Sequence, residues 1–97
     1  MKTNYQYPLE EDWDSADIIA VTNLYRNVEE AYENNAGILK DDLISAYARF
    51  KQVVPTKAQE KQLDRSFEQV SGGYSIYRTV KEGKQTTKKR VKMSGGH

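Results

Sequence analysis

The chain has 97 residues, 37% hydrophobic and 30% charged, with seven Tyr, two Phe and one Trp, which suits a single small folded domain. It has no cysteine, so disulfides, thiolate metal sites and cysteine nucleophiles are excluded, and its one histidine is the terminal His97, leaving no imidazole within the body for catalysis or metal binding. The net charge of +1 conceals a sorted distribution: residues 1–42 hold ten acids and three bases (−7), and residues 43–97 hold four acids and twelve bases (+8).

Residues 1–13 read as an extended strap, because Pro8 turns Tyr7 away from helical geometry. Asp14 is a good N-cap, Asp17 places negative charge in the first turn, and Trp13 before the cap can pack on Ile18 as a hydrophobic staple. A first helix is expected over residues 15–34. Ile18, Val21, Leu24, Tyr25, Val28, Ala31 and Tyr32 fall within an arc roughly 140° wide, and Ile19 lies opposite, either under the strap or open to a partner. Asn34, Asn35 and Gly37 end it.

A second helix is expected over residues 40–54, with Leu43, Ala46, Tyr47, Phe50, Val53 and Val54 on one side and Pro55 as its stop. Thr56 and Gln59 form a capping-box pattern that opens a third helix over residues 57–70. Its apolar strip (Leu63, Phe67 and Val70) is only about 60° wide, which marks it as peripheral. Ser71-Gly72-Gly73 closes it, and a short fourth helix over residues 75–81 presents Ile76, Tyr77 and Val80. From Gly83 onward the chain is Lys-, Thr- and Gly-rich, without periodicity, and is expected to be disordered. No stretch reads as a strand.

Tyr5-Gln6-Tyr7-Pro8 with Trp13, then Val53-Val54-Pro55-Thr56-Lys57-Ala58, then Gly73-Tyr74-Ser75 with Tyr77-Arg78-Thr79-Val80, occur here in that order. In order and separation they resemble uncharacterised protein family 0223 of Gram-positive bacteria, over about residues 5–82. The resemblance implies a compact all-α fold and a cytoplasmic bacterial setting, and it implies no activity. It does not extend beyond Lys84.

Candidate sites divide into two groups. Tyr5, Tyr7, Trp13 and Ile19 are candidate partner contacts, since aromatics favour interfaces, although a strap lying on its own bundle would use the same rings internally. Arg78, Lys84, Lys88, Lys89, Arg90 and Lys92 are candidate anion contacts. In the tail they could neutralise phosphates, serve as a solvated end, or fold back on the acidic half. Arg78 could instead pair with a carboxylate of the first helix, and Gly72-Gly73 could hold a phosphate at a helix N-terminus or simply stop the preceding helix. Tyr25, Tyr32 and Tyr47 read as core. The acids from Glu10 to Asp17 lack the glycine and glutamate spacing of a calcium loop, and no metal or cofactor is expected.

No pair of side chains has a diagnostic catalytic spacing. No apolar run approaches the ~20 residues that span a bilayer, and the N-terminus lacks an export pattern, so a cytoplasmic protein is expected. The reading is an all-α fold: a bundle of about four helices with an N-terminal strap, residues 1–82, and a flexible basic tail, residues 83–97. Its expected role is a non-enzymatic protein-interaction module, with homodimerisation open. The alternative is an accessory nucleic-acid-associated protein acting through the tail.

Overall fold

Helix α1 (Ser15–Glu33) starts where the sequence places it, at a complete capping box. The Asp14 carboxylate accepts the Asp17 amide at 2.9 Å, and the Asp17 carboxylate accepts the Asp14 amide at 3.3 Å. Trp13, just before the cap, is buried in the core, and Ile18 packs against that core. The computed structural model describes residues 5–94; the first four residues of the strap and the last three of the tail, including His97, lie outside the described residues.

Four helices follow the expected order: α1, α2 (Lys40–Val53), α3 (Lys57–Ser71) and α4 (Ile76–Gln85). Among helix pairs, α1 packs most extensively on α2, α2 also carries α4, and α3 leans on α4. Val21, Leu24, Tyr25, Val28 and Ala31 of α1 are fully buried, with Leu43 and Phe50 of α2, Phe67 of α3 and Ile76 of α4. Tyr25 and Phe67 stack with centroids 4.7 Å apart and planes within 8°, and the strap's Tyr7 ring lies 5.1 Å from that of Tyr25. Val70 is not part of this core: it is 41% exposed, so the strip of α3 narrows to Leu63 and Phe67.

The C-terminal stretch departs from the sequence reading. Helix α4 runs on to Gln85 through Gly83, and strand β2 (Arg90–Val91) pairs antiparallel with strand β1 (Ile38–Leu39), in the register Ile38↔Val91 and Leu39↔Arg90. The physical reasons are local. Gly83 is where α4 approaches α2, for a Cβ there would lie 2.8 Å from Leu43 Cδ2, so the glycine is a close-packing residue rather than a break. A two-residue ladder is too short to show the alternation that marks strands. Val91 is nonetheless only 1% exposed, and burying such a side chain is worth about 1.5–3 kcal/mol.

The ribbon rests on Gly37. Its φ of +70° lies in the left-handed region, and a Cβ would sit 2.0 Å from the Val91 carbonyl oxygen. Gly37→Ala is therefore expected to cost about 1–3 kcal/mol, because it meets both backbone strain and the β2 backbone. Urea unfolding checks this; an unchanged midpoint would mean that β2 does not lie where described.

Candidate functional site

The two groups of candidate residues are distributed differently from the sequence expectation. Tyr5 and Tyr7 donate their hydroxyls to the two oxygens of Glu29 on α1, Tyr7 at 2.8 Å. Glu29 is only 3% exposed, so the strap is tied down by a buried carboxylate. Burial first, and then the adjacent Glu29, pushes the Tyr7 phenol up to about 12 and raises Tyr5 as well. The Tyr25 hydroxyl donates to the Pro8 carbonyl at 2.8 Å, fixing the strap further along. With Trp13 buried, these rings pack on the chain's own bundle, and Ile19 alone of its group faces outward, at 67% exposure.

In the tail, Arg90 and Lys92 meet backbone carbonyls. The Arg90 guanidinium donates to the Ala36 and Gly37 carbonyls at 2.8 and 3.3 Å, and the Lys92 ammonium donates to the Tyr32 carbonyl at 2.9 Å. The Met93 amide donates to Ala31. Helix α1 has no basic residue in its last turn, so the tail supplies from a distance the positive charge and donors that a helix C-terminus favours. The basic tail thus folds back on the acidic half, one of the three outcomes open in the sequence. Lys88 and Lys89 remain exposed.

Arg78 and Lys84 belong to a different place, a cleft of about 800 Å³ between α3 and α4 with Tyr47 of α2 at one end. Its wall on α3 carries Lys57, Lys61 and Arg65, and its wall on α4 carries Arg78, Lys81 and Lys84. Glu60, Asp64 and Glu68 also line it, leaving an excess of three positive charges. The carboxylates are engaged internally. Glu60 accepts the Tyr47 hydroxyl and the Lys51 ammonium, both at 2.7 Å. Glu68 pairs with Arg78 at 3.2 Å, so the expected partner on α1 is replaced by one on α3.

Asp64 accepts the amides of Ile76 and Tyr77 at 2.7 and 3.3 Å, which caps the start of α4. Gly72, in the left-handed conformation, is the C-cap of α3. The Gly72-Gly73 turn therefore stops one helix, and a side-chain carboxylate occupies the end of the next, where a phosphate would otherwise sit. Burial raises the Asp64 carboxyl above its ordinary 3.8, against the two amide bonds that pull it down.

Lys57, Lys61, Arg65 and Lys81 form no ion pair with the described residues. Lys84 lies over the Tyr47 ring at 5.0 Å and Lys81 over Tyr77 at 5.8 Å, with Tyr77 itself 61% exposed. Sequence reasoning missed the α3 cations, marking that helix only as peripheral. The available signal was their spacing of four residues, which sets them in one row. Among the described residues no three carboxylate or imidazole groups converge as a metal site would require, and no helix is long and apolar enough to cross a membrane.

Helical packing, a two-residue ribbon and a cationic cleft define a small helical protein whose charged surface is its main chemical feature. Residues 4–92 match Uncharacterised protein family (UPF0223), and the chain belongs to that family. It is 47% identical over 87 residues to the UPF0223 protein of Bacillus cytotoxicus, covering 90% of this chain and 94% of that one. It is 47% identical over 88 residues to that of Streptococcus agalactiae serotype III, covering 91% of each. To that of Lactiplantibacillus plantarum it is 48% identical over 87 residues, covering 90% and 87%. The family match runs past Lys84, where the resemblance read from the sequence stops, and takes in β2.

Asp64 gives a pH-dependent prediction. Asp64→Ala leaves the fully buried Ile76 without its amide acceptor and should cost about 1–3 kcal/mol at pH 7. Asp64→Asn keeps one acceptor oxygen and should recover part of that loss. Because the folded carboxyl holds its proton more tightly than the unfolded one, wild-type stability relative to Asp64→Asn should fall as pH rises from 4 towards 7. Urea unfolding of the three proteins at both pH values checks the sign.

Proposed function

We propose that this protein is a non-enzymatic interaction module, and that its α3–α4 cleft receives an acidic segment of a protein partner in a bacterial cytoplasm. The observation that carries the reading is the row of Lys57, Lys61 and Arg65, without an ion pair among the described residues and beside carboxylates that are already engaged. Such cations on one wall, with aromatic surface from Tyr77 and Tyr47 nearby, suit a chain bearing carboxylates and some apolar surface. Four helical residues rise ~6 Å, so the row offers charges at a spacing that a folded or extended acidic peptide can match.

A nucleic acid held by the tail is supported less well, since Arg90 and Lys92 already serve α1 and the tail brings no aromatic ring to stack on bases.

A fluorescent glutamate-rich peptide and a single-stranded oligonucleotide separate the two readings. The peptide should bind in a salt-sensitive manner. Combining Lys57→Glu, Lys61→Glu and Arg65→Glu should weaken it by at least about tenfold, while Lys88→Glu with Lys89→Glu leaves it unchanged. Oligonucleotide binding that depends on Lys88 and Lys89, without peptide binding, would favour the nucleic-acid reading. Binding of neither probe would remove the cleft as a docking surface.

A further inference from the structure

The chain carries an acidic segment of its own that is displayed in a fixed form. Residues 10–13 make a turn closed by the Trp13 amide on the Glu10 carbonyl at 3.3 Å. One end is held by the Tyr25 hydroxyl on Pro8, and the other by the buried Trp13 and the Asp14 cap. Between these anchors Leu9 is 48% exposed, Glu11 and Asp12 are exposed, and the carboxylates of Glu10, Glu11 and Asp12 form no hydrogen bond or ion pair with the described residues.

We propose that this acidic turn of one copy docks into the α3–α4 cleft of a second copy, so that the protein associates head to tail through its own opposite charges. The proposal rests on the cleft being an acidic-segment site and identifies one occupant for it. Charge complementarity is the argument: consecutive carboxylates beside an exposed leucine meet Lys61 and Arg65 beside the exposed Tyr77. A β-turn keeps its ends within about 7 Å and four helical residues rise ~6 Å, so carboxylates of the turn can face successive cations of the row.

Two further features favour this occupant. None of residues 9–12 lines the cleft of its own chain, and anchoring at Pro8 and Trp13 holds the turn in place, so the contact is between molecules. The net charge of only +1 leaves little overall repulsion between copies. Because the anchored turn is already ordered, docking does not have to freeze a loose segment. Turn and cleft are different surfaces, so the contact is heterologous: each copy offers one of each, and association continues unless the rotation closes a ring. Exposed charge pairs are weak and screened, so association belongs to high protein concentration and low salt.

Sedimentation equilibrium of the full chain at about 0.5 mM tests this, at ~20 mM and at ~300 mM salt, where screening differs several-fold. Two exposed-residue variants are compared: a cleft variant (Lys61→Glu with Arg65→Glu) and a turn variant (Glu11→Lys with Asp12→Lys), each checked for native helicity by circular dichroism. Wild type should rise above the monomer mass at low salt, without a fixed stop at the dimer, and return to the monomer at high salt. Each variant alone should stay monomeric, and an equimolar mixture should associate again, because each then meets a surface of opposite charge.

A monomeric wild type at low salt, variants that associate like wild type, or a mixture that stays monomeric would overturn the proposal. So would a mass gain abolished by nuclease, which would belong to bound nucleic acid. If wild type is monomeric and the glutamate-rich peptide still binds, self-docking fails while the cleft reading stands; if the peptide fails too, both fall.

Discussion

Helix α3 is held to the body by two buried side chains and by carboxylates that reach its neighbours, and the charged face of the molecule follows from where those carboxylates go. Its apolar contribution is confined to Leu63 and Phe67, the latter stacked on Tyr25. Glu60 reaches α2 through Tyr47 and Lys51, Asp64 caps α4, and Glu68 meets Arg78. Hydrogen bonds to charged groups contribute more than neutral ones, about 1.5–3 kcal/mol each where shielded, whereas the exposed Arg78 pair is worth little. On the helix surface, Lys57, Lys61 and Arg65 each have a carboxylate three residues on. Glu60 and Asp64 turn inward and Glu68 turns to Arg78 instead, and the cations are left facing solvent along the cleft.

The chain ends are handled by related chemistry. The strap comes to rest because Glu29, buried on α1, needs donors, and Tyr5 and Tyr7 supply them. The tail comes to rest because the end of α1 needs donors and positive charge, and Arg90, Lys92 and the Met93 amide supply them. Both ends therefore stabilise the same helix. The sorting of charge along the sequence is partly consumed in folding, since cations of the basic half cap a helix of the acidic half. Other charges stay exposed: Glu11 and Asp12 in the turn, Arg26, Glu30, Asp41, Asp42 and Arg49 on α1 and α2, the cleft cations, and Lys88 with Lys89.

Helix periodicity, the Asp14 and Thr56 caps, Pro55 and Gly72 made the four helices legible to within a few residues, because each depends on chemistry near in sequence. The burial of Tyr25 and Phe67 was equally visible on their arcs. What escaped depends on contacts distant in sequence. Gly83 reads as a break until Leu43 is seen beside it, and Val91 is an isolated apolar residue until Gly37 makes room for its backbone. Two of the six cleft cations, Arg78 and Lys84, were visible in the sequence as candidate anion contacts. Lys57, Lys61 and Arg65 were not, because a mixed-charge helix face looks self-neutralising until the direction of each carboxylate is known.

Double-mutant cycles at Glu60 test the account most directly, by comparing its coupling to Tyr47 across the helix interface with its coupling to Lys57 on its own helix. Tyr47→Phe with Glu60→Gln should give a coupling of about 1 kcal/mol or more, and Lys57→Ala with Glu60→Gln should give less than ~0.3 kcal/mol. A Lys57–Glu60 coupling that equals or exceeds the Tyr47–Glu60 value would mean that α3 neutralises itself, and that its cations are not available along the cleft.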